Sequence, residues 1–300
     1  MTGANRMTDL VVGGRGNLGR QLLFDLPNGI GTSREGRGSE EKLDITDGVE
    51  VMEVVERVQP RYVINTAAMT SVDACERDPA AARSVHVDGT ANLVRACEEA
   101  GSCLIQLSTN YVFDGENGPY DEKDTPNPLS VYGRTKLESE WLVLEAPHPG
   151  IVIRTAVFYG TEAERPNFVT WALRELVLGK TIRIVTDESA NPTYVPDLSR
   201  AISQLALDVG HSGVFHVAGT DFLSRYEMVV LLCDVFGLDS DLVNPVVSAD
   251  LGQDAVRPPR AGLNTARIRT VVNRPFGSFR ANLIELKDQI GDLVSWARSD

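Results

Sequence analysis

A phenol and an ammonium four residues apart, Tyr132 and Lys136 in the run Tyr132-Gly133-Arg134-Thr135-Lys136, share one face of a helix. A free tyrosine has a pKa of about 10, and a lysine ammonium within a few ångströms favours the phenolate and brings the group toward neutral pH. Such a tyrosine is a usable proton donor. Upstream, an apolar stretch ends in Ser108-Thr109-Asn110-Tyr111-Val112-Phe113-Asp114-Gly115. Polar side chains at the C-terminal end of a parallel strand point into the crevice where doubly wound sheets bind ligands, so Thr109 could meet a substrate. Read alone, a Ser-Thr pair at a strand end is more often a turn or capping device. A third group opens the chain: in Gly13-Gly14-Arg15-Gly16-Asn17-Leu18-Gly19, glycine recurs at every third position of the triplet Gly13, Gly16 and Gly19. This is not the G-x-G-x-x-G form, but the reasons for glycine are the same: a tight strand-to-helix turn, backbone approach to a pyrophosphate and close helix packing. Further on stands Thr32-Ser33-Arg34-Glu35, where an acid would hold a free ribose diol and Arg34 would favour a 2′-phosphate. Arg34 thus points to NADP(H), and the adjacent Glu35 leaves NAD(H) open.

These groups need a frame that brings several strand ends together. Short apolar runs alternate with amphipathic stretches: strands at Asp9 to Gly13, Gly29 to Thr32, Arg61 to Asn65 and Cys103 to Leu107, and helices at Asn17 to Leu26, Asp47 to Val58 and Pro79 to Ala100. Runs such as Tyr62-Val63-Ile64 are apolar at every position, as in strands covered on both faces. The predicted fold class is α/β, a doubly wound Rossmann-type parallel sheet. The segment Gly115 to Asn127, dense in Gly, Pro, Asp and Asn, reads as a surface loop leading into the Tyr132 helix. After a strand at Ile151 to Arg154 the rhythm loosens, with helices at Asn167 to Leu178, Pro196 to Asp208, Arg225 to Phe236 and Leu283 to Ala297, and a strand at Ile182 to Val185. This predicts a dinucleotide-binding domain over residues 1-160, with segments near 181-220 returning to it, and a smaller, interleaved substrate domain over 161-300.

Composition narrows the partners. Acidic residues outnumber basic ones 42 to 29, and a net charge of -13 argues against general affinity for nucleic acid or an anionic membrane. No run approaches the roughly 18 apolar residues of a membrane helix, and the first strand starts too early for a signal peptide, so a cytoplasmic protein is expected. Cys75, Cys97, Cys103 and Cys233 have no paired spacing, and His86, His148, His211 and His216 are scattered. Buried free thiols and no protein-built metal site are the expectation.

Taken in order, the glycine triplet, the strand-end Thr109 and the Tyr132/Lys136 pair resemble the extended short-chain dehydrogenase/reductases, and within them the dTDP-4-dehydrorhamnose reductase family. The resemblance spans nearly the whole chain. It is carried by Asn65-Thr66-Ala67-Ala68-Met69-Thr70 with Val72-Asp73, the Thr109 phrase, Pro119-Tyr120, Tyr132 to Glu138 and Arg154-Thr155. It continues through Asn167-Phe168-Val169, Asn191-Pro192-Thr193 with Asp197-Leu198, and Arg257-Pro258 before Leu263. The resemblance implies NAD(P)H-dependent reduction of a 4-keto-6-deoxy sugar on a nucleoside diphosphate. Tyr132 would then donate the proton, Lys136 would lower its pKa and hold the nicotinamide ribose, and Thr109 would bond the carbonyl oxygen. Gly13, Gly16, Gly19, Asp44, Ala67 and Ala68 would line the cofactor, joined by Asn17 and Leu18 in the glycine turn. Asn167, Pro192, Thr193 and Arg257 would face the sugar nucleotide, with Arg257 suited to its diphosphate. The sequence does not give the oligomeric state and leaves a homodimer open. Two positions bordering the sugar depart from the family pattern: Asn110 stands where an Asp is usual, and Arg154-Thr155-Ala156-Val157 replaces a phrase that often carries a Trp. Three alternatives stay open. Dehydratases of this fold need an Asp-Glu pair where Asn110-Tyr111 stands, epimerases share the Tyr/Lys pair, and the regulatory subunit of methionine adenosyltransferase shares the fold without the reaction.

Overall fold

The structure, a computed structural model, describes residues 8–36, 40–148, 150–161, 166–208 and 210–298. Seven parallel strands form its central sheet. Six of them are β1 (Asp9–Val12), β2 (Gly29–Ser33), β3 (Glu41–Lys42), β4 (Tyr62–Asn65), β5 (Cys103–Thr109) and β6 (Ile151–Thr155). The seventh, Gly213–His216, pairs with β6, and the order across the sheet is Gly213–His216, β6, β5, β4, β1, β2, β3. Every residue of β1, β4 and β6 is buried, which is why their centres Leu10–Val12, Tyr62–Ile64 and Ile151–Ile153 read as apolar runs, with Asp9, Asn65, Arg154 and Thr155 as buried polar residues at their ends.

Helices cover both faces. On one face α1 (Asn17–Asp25) and α8 (Val195–Leu207) pack against each other and the sheet, through Leu22, Leu198, Ile202 and Leu205. On the other, α2 (Gly48–Val58) and α5 (Gly89–Ala100) enclose Val51, Val55, Leu93 and Ala96. Asp47 starts α2 by accepting from the amides of Val49 and Glu50, satisfying donors the helix itself leaves open. After the short helix α3 (Val72–Arg77), the stretch read as a single helix from Pro79 to Ala100 is α4 (Pro79–Arg83), a π turn at Ser84–Asp88, then α5. That widened turn carries His86 toward α6 (Val131–Leu144), the helix that bears Tyr132 and Lys136.

A separate hydrophobic cluster holds α7 (Phe168–Val177), α9 (Arg225–Phe236) and the helix Phe279–Ile290 around Leu173, Leu232 and Leu283. Here strand Ile182–Val185 pairs in parallel with Val243–Val246. The single helix expected at Leu283 to Ala297 is instead two, Phe279–Ile290 and Leu293–Arg298, parted at Gly291, where φ is +66°. No helix among the described residues is long and apolar enough to cross a membrane, and no group of three or more His, Cys, Asp or Glu is placed to hold a metal.

Candidate active site

Strand order reverses between β1 and β4, and in open parallel sheets the crevice beyond the strand ends at that point receives ligands. A cavity of about 610 Å³ lies there. Its wall takes Gly16, Asn17, Leu18 and Gly19 from the start of α1, and Arg34 from the end of β2. Ala67 and Ala68 follow β4, and Thr109 and Asn110 follow β5. Tyr132 and Lys136 come from α6, and Val157 and Asn167 from the segment between β6 and α7. Four cations, Arg15, Arg34, Lys136 and Arg225, border the cavity, and none of its described lining residues is a carboxylate. In a chain of net charge -13 this is a local inversion, suited to anionic ligands.

The glycine turn is built for close approach. Gly13 has φ +81°, and a Cβ there would stand 2.9 Å from Thr66 Oγ1 and 3.0 Å from the Ala67 nitrogen. A Cβ on Gly19 would fall 2.3 Å from the Gly13 carbonyl oxygen, so only glycine lets α1 leave the strand so abruptly. Gly13 therefore shapes the turn from behind the lining. Gly16 caps α1 without a side chain, leaving the first helical N–H groups free for an anion, and the buried Asn17 Oδ1 beside them has no hydrogen-bond partner. This cradle fits a dinucleotide pyrophosphate. Asp44 does not join it: its Oδ1 accepts from the Thr46 amide and hydroxyl, and it borders a separate open cleft beside α2.

Thr109 does two jobs. Its hydroxyl accepts from the Tyr111 amide at 3.1 Å, capping the short turn Asn110–Val112, and it also stands beside the Tyr132 phenol. Part of the Tyr132 ring is open to the cavity, yet the enclosing protein desolvates the phenol and raises its pKa to about 12, with Thr109 pulling the other way. Burial likewise lowers Lys136 to about 8, against the pull of Glu140. The expected depression of Tyr132 by Lys136 is thus absent: desolvation dominates the phenol, and the Lys136 ammonium donates to the Leu107 carbonyl at 2.5 Å.

Groups behind the lining set these side chains in place. The Met69 amide donates to His86 Nε2 at 3.0 Å, which puts the ring proton on Nδ1, 2.7 Å from Thr135 Oγ1. Burial holds His86 neutral, with a pKa lowered to about 3, and its ring meets the Tyr132 ring edge-on at 5.6 Å. Below Lys136, Glu140 accepts from Arg154 Nε at 3.0 Å, from Arg154 Nη2 at 2.6 Å and from Ser108 Oγ at 2.5 Å, all within the core. Sequence reasoning passed over His86 and Glu140. Glu140 was within reach of it, since it follows Lys136 by four residues on the same helix face. His86 was not, because only the π turn brings it to α6.

The substrate-side residues divide. Val157 lines the cavity at φ +41°, a costly conformation for a β-branched residue, and the Thr193 amide holds it by donating to its carbonyl at 3.2 Å. Thr193 Oγ1 donates to the Ala156 carbonyl at 2.6 Å, so Thr193 and the buried Pro192 stand behind this wall rather than in it. Asn110 Nδ2 donates to the Ala261 carbonyl at 2.8 Å, a bond an Asp could not make. Asn167 caps α7 and donates to the Gly160 carbonyl at 2.9 Å. Arg257, expected at a diphosphate, does not line the cavity: its guanidinium is paired in a fork with Asp73, at 3.1 and 2.8 Å. Arg225, unremarked in the sequence except as the start of a helix, does line it.

The chain matches the model of the RmlD substrate binding domain over residues 7–291. It is 37% identical over 284 residues to a dTDP-4-dehydrorhamnose reductase from Streptomyces griseus, covering 92% of this chain and 91% of that protein. It is also 34% identical over 274 residues to methionine adenosyltransferase 2 subunit beta from Bos taurus, covering 87% and 81%. Among solved structures, a dTDP-4-dehydrorhamnose reductase from Bacillus anthracis in complex with NADP superposes with a TM-score of 0.87 at 28% identity, covering 94% of this chain and 99% of that one. By its match along most of its length and its superposition on that structure, the chain belongs to the RmlD, or dTDP-4-dehydrorhamnose reductase, family of extended short-chain dehydrogenase/reductases.

Proposed function

We propose that this protein is an NADPH-dependent reductase of the 4-keto group of a nucleotide-linked 6-deoxy sugar, acting as a dTDP-4-dehydrorhamnose reductase in dTDP-L-rhamnose biosynthesis, with NADH as a second usable cofactor. The observation that carries it is one cationic cavity in which the glycine turn, Thr109, Tyr132 and Lys136 converge. Held by the glycine turn Gly16–Gly19 and by Lys136, a nicotinamide cofactor would supply hydride to C4 of the sugar. The residues of this chain then handle the charge that appears on O4. Tyr132, whose pKa of about 12 keeps it protonated at any working pH, gives its phenolic proton to that oxygen. The Thr109 hydroxyl, beside the phenol, is placed to donate to the same oxygen and stabilise it. The phenolate left behind is a far stronger base than the Lys136 amine at about 8, so the Lys136 ammonium stabilises it and returns a proton downhill. Arg34, exposed at the end of β2, is placed to hold the 2′-phosphate of NADPH.

The kinship with methionine adenosyltransferase 2 subunit beta gives a second reading, a binding or regulatory role without turnover. The presence of Thr109, Tyr132 and Lys136 in one cavity favours the reductase. Dehydration is disfavoured, since Asn110 and Tyr111 offer no acid-base pair beside Thr109. The test is oxidation of NADPH, followed by its absorbance, with the dTDP-linked 4-keto-6-deoxy sugar generated in place. Substrate-dependent oxidation supports the reductase; cofactor binding without oxidation would favour the regulatory reading.

A further inference from the structure

Asn110 is 3% exposed, and its side chain is tied at both ends. Nδ2 donates to the Ala261 carbonyl at 2.8 Å, and Oδ1 accepts from Thr109 Oγ1 at 3.4 Å. The Ala261 carbonyl dictates which way the amide faces, since only its NH2 end has a proton to give, and the acceptor end is left to Thr109. The first contact is an ordinary hydrogen bond; the second lies at the outer edge of hydrogen-bond geometry. Ala261 is a fixed anchor. On either side of it the Pro259 and Gly262 carbonyls accept from the Ser189 and Tyr120 amides at 2.7 and 2.8 Å, and the Leu263 amide donates to Asn191 Oδ1 at 2.8 Å. Thr109 is held as firmly: its Oγ1 takes the Tyr111 amide at 3.1 Å. A Cβ on Gly133 would collide with the Tyr111 carbonyl oxygen, so this turn lies directly against the first turn of α6, which bears Tyr132. What the backbone leaves undecided is the direction of the Thr109 O–H bond, which its acceptors choose. Thr109 has one hydroxyl proton, and the reduction needs it at the sugar oxygen. A strong resting acceptor would keep that proton, and no acceptor would let it turn away. A neutral amide oxygen held at 3.4 Å falls between the two.

We propose that Asn110 is a positioning residue for Thr109: anchored on the Ala261 carbonyl, its amide oxygen holds the Thr109 hydroxyl loosely enough to release it to the oxygen of the sugar carbonyl. This rests on the reductase reading and deepens it by naming what aims the second donor at O4. The side chain must be an amide here. A carboxylate could not bond the Ala261 carbonyl, and, freed from that anchor, it would close on Thr109 in a shorter, charge-assisted bond and keep its proton.

The test is steady-state reduction of the keto sugar by wild type, Asn110→Asp and Asn110→Ala, and by the same two substitutions in a Thr109→Val background, with NADPH affinity measured for each. Asn110→Asp is expected to lower kcat about 10-fold, the scale of a charge-assisted hydrogen bond that must be given up, with KM within about 2-fold of wild type. Asn110→Ala, which removes both ties, should lower kcat only about 2- to 3-fold. A residue that merely filled space would rank the other way, because Asp keeps the shape and Ala leaves a void. In Thr109→Val the effect of either substitution on kcat should shrink to about 1.5-fold or less, since no hydroxyl remains to be aimed. Wild-type NADPH affinity shows that a variant is folded; if Asn110→Asp does not fold, the cycle of Asn110→Ala with Thr109→Val decides, and additive effects there overturn the proposal. Wild-type kcat in Asn110→Asp, an undiminished fall in the Thr109→Val background, or a raised KM at unchanged kcat would each overturn it and leave the reductase reading standing. A wild-type protein that binds NADPH without oxidising it would overturn both readings together.

Discussion

Replacing Glu140 by Gln probes how the core beneath Lys136 is held. Arg154 and Glu140 have side chains only 4% and 1% exposed, and their contacts at 2.6, 3.0 and 3.1 Å form a fork-to-fork pair with Ser108 as a further donor. Gln keeps the shape and some of the hydrogen bonding but strands the Arg154 charge in the core. His216 Nε2, 3.5 Å from Arg154 Nη1, belongs to a ring that burial and Arg154 itself hold neutral, and an imidazole, neutral or cationic, cannot supply the missing negative charge. Breaking one side of a buried pair costs about 3–5 kcal/mol. Unfolding entropy of roughly 2 cal/mol/K per residue turns that, for a chain of this length, into a fall in Tm of about 5–8 °C. Calorimetry of wild type, Glu140→Gln and the double variant Glu140→Met/Arg154→Met reads it out, and the double variant should recover most of the loss because no charge remains buried. A second readout is specific to the site. Glu140 supports the charged form of Lys136, so Glu140→Gln should move the Lys136 pKa below about 8. A Tm within about 1 °C of wild type, or a double variant worse than Glu140→Gln, would refute the reasoning.

Lys136 makes the pH dependence explicit. Its folded pKa of about 8 lies below the ordinary 10.5, so kcat/KM for reduction should fall as pH rises through about 8 and the ammonium is lost, while Tyr132 stays protonated. The same depression means that the unfolded chain holds this proton more tightly: the contribution of Lys136 to stability improves as pH climbs from about 8 to 10.5, and Lys136→Met should flatten that slope in pH-dependent melting. Arg34→Ala should weaken NADPH by about 2- to 5-fold, the scale of an exposed ion pair, and leave NADH nearly unaffected; equal effects on the two cofactors, measured by fluorescence titration, would remove the 2′-phosphate role.

Sequence alone was most informative where a feature depends on neighbours in the chain. Tyr62–Asn65 was legible as a strand because burial makes Tyr62–Ile64 continuously apolar, Ile182–Val185 because Ile182 and Ile184 alternate with the exposed Arg183, and Arg225–Phe236 as a helix because Ser224 and Glu227 cap it and Gly237 ends it. The glycine turn, Thr109, Tyr132 and Lys136 were visible for the same reason, since each is a local phrase. What stayed hidden depends on distant partners. Arg257 looks like a phosphate ligand until it meets Asp73, 184 residues away. Asn110 lines the cavity as its place in the sequence suggests, but the tie of its amide to Ala261, 151 residues away, could not be read from neighbours. The π turn that places His86, and the short strand pairs that brace Val157 through Thr193, leave no periodic signal at all. The pKa order was misjudged because four-residue spacing shows proximity but not the desolvation of a closed cavity, which raises Tyr132 and lowers Lys136 together.

The most direct test of the central claim is Tyr132→Phe, assayed for NADPH binding and for single-turnover oxidation of bound NADPH by the dTDP-linked 4-keto-6-deoxy sugar. Loss of the phenolic proton should lower the rate by about 100-fold or more, the scale of general-acid catalysis, with NADPH affinity essentially that of wild type. A wild-type rate in Tyr132→Phe would contradict the assignment of Tyr132 as the proton donor.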